Sequence, residues 1–128
     1  MQPFARTGLW PIVSLALVTL VVWGSLRTGG VPLVPGNLDK LQHFTAYFGL
    51  SMWFAGLFLR SRYWLVAGAL LLLGGTLEML QELIAVRRSA EWLDMLANTA
   101  GVFTGLALGH VGAHGWASKV DTWMKSRR

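Results

Sequence analysis

A group of residues that could do chemistry lies near residue 40, where a long apolar stretch begins. Asp39, His43 and Tyr47 are spaced four residues apart, and Lys40 lies among them. In a helix this spacing places the three side chains on one face. A histidine beside a carboxylate is a pairing used in general acid–base catalysis, whereas an aspartate at a helix start also caps the helix. The spacing leaves both roles open.

Two further polar groups interrupt apolar stretches later in the chain. Glu78 and Gln81 are three residues apart and therefore share one helix face. Asp94 and Asn98 are one helical turn apart, and Arg88 precedes Asp94 by six residues. Charged groups at membrane depth are costly and face a bundle interior or a water-filled cavity. Each group is therefore a candidate part of a site, with a purely structural polar network between helices as the alternative.

The polar groups belong to a chain of very apolar composition. Of its 128 residues, 54% are hydrophobic and 13% are charged, and there is no Cys. This composition excludes a disordered tail, a disulfide-stapled domain and a Cys-ligated zinc module. Four stretches of 18 to 21 residues carry almost no charge, and about 20 helical residues cross a bilayer core. We therefore predict one all-α domain, residues 1–128, with transmembrane helices at about 9–26, 41–59, 64–84 and 94–113.

The distribution of basic residues predicts how this four-helix bundle is oriented. Seven bases lie on the side that holds both termini: Arg6, Arg60, Arg62, Lys119, Lys125, Arg127 and Arg128. The other side holds four: Arg27, Lys40, Arg87 and Arg88. The positive-inside rule then places both termini in the cytoplasm. The net charge of +5 follows from this asymmetry, and without a long basic stripe no nucleic-acid partner is expected.

The same topology predicts that the polar groups meet. The second helix begins outside, the third ends outside and the fourth begins outside, so all three groups lie at the extracytoplasmic membrane level. Glu82 is expected to point to the membrane interface. A run of glycines at spacing four, Gly101, Gly105 and Gly109, continues the Asp94 face, and close packing within the bundle is favoured over dimerisation.

The connecting segments carry fewer signals. Glycines and prolines between residues 27 and 40 predict an irregular loop. Residues 114–128 have apolar side chains at helical spacing among basic ones. They fit either an amphipathic helix on the membrane surface or a frayed basic tail.

The three polar groups resemble the pattern of VanZ-like membrane proteins. The pattern D-K-x-x-H-F-x-x-Y-F is matched from Asp39 to Phe48, E-x-x-Q at Glu78 and Gln81, and R-x5-D-x-x-x-N-x-x-G from Arg88 to Gly101. The resemblance covers residues 37–110. Val86-Arg87 stands where family members often carry Pro-Gly.

The resemblance implies a multi-pass protein of the bacterial inner membrane. The founding member of the family is linked to low-level resistance to teicoplanin, a lipoglycopeptide that binds cell-wall precursors outside the membrane. Resistance is a phenotype and does not define a biochemical activity.

Two hypotheses follow for the site. In the favoured one, a non-catalytic pocket binds an amphiphilic envelope ligand, namely a membrane lipid, a lipid-linked wall precursor or a lipoglycopeptide. Its candidate ligand-binding residues are Asp39, Lys40, His43, Tyr47, Glu78, Gln81, Arg88, Asp94 and Asn98. In the second, an intramembrane enzyme modifies an envelope lipid, and its candidate acid–base residues are His43, Glu78 and Asp94. Three acids and a histidine could also bind a divalent metal. The sequence shows no H-E-x-x-H or comparable ligand spacing, so neither a metal nor a cofactor is expected, and the oligomeric state is left open.

Overall fold

The computed structural model describes residues 8–27, 36–84 and 92–127, and these segments are almost wholly helical. Five α-helices follow one another: α1 Leu9–Arg27, α2 Gly36–Leu57, α3 Tyr63–Ile84, α4 Trp92–Leu108 and α5 Trp116–Ser126. A short 3₁₀ turn, Arg60–Arg62, precedes α3, and a π-helical turn, Gly109–Ala113, follows α4. Within the described segments there is no strand. The prediction of an all-α protein is confirmed.

Two of the helical segments are long and apolar enough to cross a membrane: Leu9–Arg27 and Arg60–Ile84. The first turns of α2 contain the polar residues Asp39, Lys40 and His43. α4 has only 17 residues and contains Asp94. Polar side chains lower the hydropathy of a segment even when they face other helices instead of lipid. Four membrane-spanning helices therefore remain a prediction.

The helix boundaries differ from the sequence prediction at the amino ends of α2 and α4 and at the carboxyl end of α4. The α-helix ends there at Leu108, and the π-helical turn Gly109–Ala113 covers the rest of the predicted range. α2 begins at Gly36 instead of residue 41, so residues 36–40 are helical where an irregular loop was predicted. Asp39 lies in the first turn, where its charge is favourable to the helix dipole. Residues 28–35, with the remaining glycines and prolines of that loop, lie outside the described residues. α4 begins two residues earlier than predicted, at Trp92.

The most extensive packing among the described residues is between α2 and α4. The glycine run lets the backbones of these two helices approach each other closely. A methyl group on Gly101 would meet the carbonyl oxygen of Phe44 and would lie 3.0 Å from the backbone nitrogen of Phe48. A methyl group on Gly105 would collide with Ser51 and lie 2.8 Å from the Phe48 carbonyl oxygen. The glycine face therefore packs within the bundle, as predicted.

Three tryptophans join α1 and α5 to the end of α2. The rings of Trp10, Trp53 and Trp116 have centroids 5.1–5.9 Å apart. The indole nitrogen of Trp10 lies 3.4 Å from Oδ1 of Asp121, and that of Trp53 donates to Ser14 Oγ at 2.9 Å. Residues 116–126 thus form a docked amphipathic helix, and the alternative of a frayed tail is wrong for them. Contact of α5 with a membrane surface stays a prediction.

Candidate functional site

His43 lies at the centre of a polar cluster at the amino end of α2. Its Nδ1 is 3.1 Å from Oδ1 of Asn98 and 3.7 Å from Oε1 of Glu78. Its Nε2 is 4.0 Å from Oδ1 of Asp39 and 4.0 Å from Oδ2 of Asp94. The imidazole therefore has carboxylate oxygens near both ring nitrogens, an arrangement that the linear sequence did not reveal.

Lys40 joins the cluster through the other oxygen of Asp94. Its Nζ is 3.7 Å from Asp94 Oδ1, and its side chain is 30% exposed, whereas that of Asp94 is fully buried. A buried carboxylate requires cationic or hydrogen-bonding neighbours because desolvation is costly. Lys40 therefore connects the buried cluster to the surface of the bundle. We define the polar cluster as Asp39, Lys40, His43, Glu78, Asp94 and Asn98.

Helix geometry brings these side chains together from three elements. α2 supplies Asp39 and His43, one turn apart, together with Lys40. α3 supplies Glu78 near its end, and α4 supplies Asp94 and Asn98, also one turn apart. Glycine makes the approach close: a methyl group on Gly74 of α3 would lie 3.2 Å from Asn98 Nδ2. The helix ends predicted to converge do converge.

Tyr47 lies one helical turn after His43 in α2, on the side of the polar cluster that faces the bundle interior. It is 2% exposed, and its hydroxyl has no hydrogen-bond partner among the described residues. The hydroxyl is next to Gly74, since a methyl group there would lie 3.3 Å from it and 3.2 Å from Asn98 Nδ2. A buried hydroxyl without a partner is costly, so this position favours a further polar group from a ligand or a water molecule.

Two residues at the end of α3 lie outside the polar cluster, and one predicted site residue is not described by the structure. Gln81 is buried, but its amide nitrogen donates to the backbone carbonyl of Ser25 at 2.7 Å, which attaches α3 to α1. Glu82 is exposed, and its position at the membrane interface stays a prediction. Arg88, a candidate ligand-binding residue, lies outside the described residues.

The charges of the polar cluster suit a ligand that carries a positive group. Its three carboxylates are accompanied by one ammonium group and one imidazole. In the structure Lys40 is next to Asp94, and carboxylates outnumber cationic groups in the polar cluster.

A second polar group lies at the opposite end of the bundle, and sequence reasoning did not single it out. The Tyr63 hydroxyl donates to the Ala55 carbonyl at 2.9 Å and lies 3.2 Å from Nδ1 of His114. Burial, followed by the positive charge of Arg60, lowers the pKa of His114. His114 is 51 residues from Tyr63 in the sequence, and no spacing pattern relates the two.

Comparisons with protein-family models, with curated proteins and with solved structures find no match to this chain.

Proposed function

We propose that the chain is a multi-pass membrane protein whose polar cluster binds the head group of an amphiphilic envelope ligand. The observation that supports this is the convergence of the polar cluster from three sequence-distant segments of an otherwise apolar bundle. Such polar side chains at membrane depth are costly and typically mark a ligand path or site. Membership of the VanZ-like family, location in the bacterial inner membrane and an influence on teicoplanin-type resistance belong to the same proposal.

A zwitterionic head group fits the cluster best. Carboxylates such as Asp39 and Glu78 would accept hydrogen bonds from an ammonium group, and Lys40 would contact a phosphate. Asp39 and Lys40 are partly exposed, with side-chain exposures of 21% and 30%, so a head group can reach them from the surface of the bundle. Phosphatidylethanolamine carries both groups and is the ligand we propose to test first. A lipid-linked wall precursor and a lipoglycopeptide are the other candidate ligands.

Lipid retention tests the site directly. We expect native mass spectrometry of the purified protein to show one phosphatidylethanolamine retained per chain, and Asp94→Asn to reduce that retention at least about tenfold. Loss of one charge-assisted contact is worth roughly 1.5–3 kcal/mol, and tenfold corresponds to about 1.4 kcal/mol. His43→Ala should act in the same direction because His43 contacts members of all three helices.

The matched control is Glu82→Gln, which removes an exposed carboxylate from the same end of α3. It should retain lipid as the unmodified protein does. Equal retention in all four proteins, or no head-group preference in any, would contradict the proposed site.

Membrane topology can be read with single cysteines because the chain contains none. We expect a membrane-impermeant maleimide to label Gln42→Cys on intact cells, but to label Ser61→Cys and Ser126→Cys only after permeabilisation. All three positions are exposed in the structure. If only α1 and α3 span the membrane, Ser61→Cys would also be labelled on intact cells, and the four-helix proposal would be wrong.

A catalytic role for His43 is the second candidate function. The observation that favours it is the placement of carboxylates near both ring nitrogens, which suits a base that is oriented on one side and reacts on the other. Incubation with phosphatidylethanolamine decides between the two functions. A product of altered mass that is absent with His43→Ala supports catalysis, whereas an unchanged lipid supports binding alone.

A further inference from the structure

From the geometry around Nε2 of His43 we infer a binding site for one divalent transition-metal ion, with Asp39, His43 and Asp94 as its protein ligands. Each residue offers one ligand atom, and these atoms all lie within 4.8 Å of one another. Two of the residues come from α2 and one comes from α4. The inference goes beyond head-group binding because the metal site needs no lipid.

The tautomer of His43 prepares Nε2 to bind a metal. With the Asn98 amide oriented as here, its oxygen accepts the hydrogen bond from Nδ1 at 3.1 Å. Since a neutral imidazole carries one hydrogen, Nε2 then presents its lone pair toward Asp39 and Asp94. Metal-binding histidines commonly have their second ring nitrogen fixed in this way by an outer hydrogen-bond acceptor.

The distances require only small adjustments. Nε2 is 4.0 Å from the nearest oxygen of each carboxylate. Ligands around a tetrahedral ion of zinc size lie about 3.4 Å apart, so each of these two pairs must approach by about 0.6 Å. The ligand oxygens of Asp39 and Asp94 lie within 4.8 Å of each other and must approach by up to about 1.4 Å. Rotation of the partly exposed Asp39 side chain can supply part of this movement.

The two oxygens of Asp94 have separate neighbours, so Oδ2 can bind an ion while Oδ1 stays next to Lys40. Oδ2 faces His43, and Oδ1 faces Lys40 at 3.7 Å. Lys40 is 30% exposed and can turn toward solvent when a cation binds.

One imidazole nitrogen with two carboxylates selects the class of metal. This donor set suits Zn²⁺, Mn²⁺, Fe²⁺ and Co²⁺, whereas Mg²⁺ and Ca²⁺ prefer oxygen ligands alone. The ligands are not recognisable as a motif because Asp39 and His43 at spacing four are completed by a residue 51 positions later.

A Co²⁺ titration tests the inference. The full chain, stripped of lipid and metal in detergent with EDTA and then exchanged into EDTA-free detergent, is titrated with Co²⁺ while visible absorption is recorded. We expect saturation at one Co²⁺ per chain, displacement by Zn²⁺ and resistance to excess Mg²⁺. Asp39→Asn should weaken Co²⁺ binding at least tenfold, and Glu82→Gln should leave it unchanged, with helical content by circular dichroism checked in both.

The absence of saturable Co²⁺ binding to the unmodified chain would overturn the inference, as would equal affinity in Asp39→Asn. Both readings are made without lipid, so they are independent of head-group binding. If lipid retention persists while Co²⁺ binding fails, the metal site alone is wrong. If Co²⁺ binding succeeds while retention fails, the proposed ligand is wrong and the metal site stands.

Discussion

Gly101→Ala is expected to lower the free energy of unfolding by about 1–2 kcal/mol and to open the polar cluster. The added methyl group would meet the carbonyl oxygen of Phe44, which is backbone and cannot rotate away, and would lie 3.0 Å from the Phe48 nitrogen. Overpacking a close contact costs about 1–3 kcal/mol, and here it must exceed the gain of up to about 1 kcal/mol that alanine brings to a helix. The strain is relieved only if α4 moves away from α2.

The consequence for the site follows from the position of Phe44 next to His43. A shift of α4 separates Asp94 and Asn98 from the imidazole, so stability and lipid retention should decline together. Unfolding monitored by circular dichroism in detergent measures the first effect. Gly68→Ala is the matched control because, apart from its chain neighbours and its own helix backbone, no atom of the described residues lies within 4 Å of the added methyl group. This substitution should be neutral or slightly stabilising. A Gly101→Ala protein as stable as Gly68→Ala would contradict the packing described for α2 and α4.

The helices of this protein could be predicted well where hydropathy and boundary signals agree. α1 and α3 match their predicted ranges within one residue. The start of α2 was missed because the prediction followed apolar runs, whereas Asp39 and Lys40 lie inside the helix. A polar first turn is compatible with a helix when its side chains contact neighbouring helices.

The six members of the polar cluster were among the nine predicted site residues, but their geometry could be predicted only in part. Spacing placed His43 with Asp39, and Asp94 with Asn98, and topology placed the pairs at one level. It could not show that Asn98 fixes the imidazole, that Lys40 contacts Asp94 or that Gln81 holds α1 instead of the cluster. Those facts depend on how each helix is rotated about its axis relative to its neighbours. Sequence periodicity shows which residues share a face of one helix, but not which residues of the next helix they meet.

Asp94→Asn has the largest expected effect on ligand binding. Asp94 is fully buried and lies near both Lys40 and His43. Asparagine keeps the size of the side chain but removes the charge that attracts an ammonium group or a metal. If the polar cluster served only to hold helices together, this substitution would change stability without changing the response to a ligand.

The measurement that separates a binding site from a structural network is the stabilisation of lipid-free protein by added lipid. A ligand that binds only the folded state at 100 times its Kd stabilises that state by about 2.7 kcal/mol. In mixed detergent micelles we predict that phosphatidylethanolamine raises the Tm of the unmodified protein by on the order of 5 °C or more. Phosphatidylglycerol should raise it far less, and phosphatidylethanolamine should leave Asp94→Asn nearly unchanged. An equal rise in Tm for the unmodified protein and Asp94→Asn would contradict the central claim that the polar cluster binds the head group.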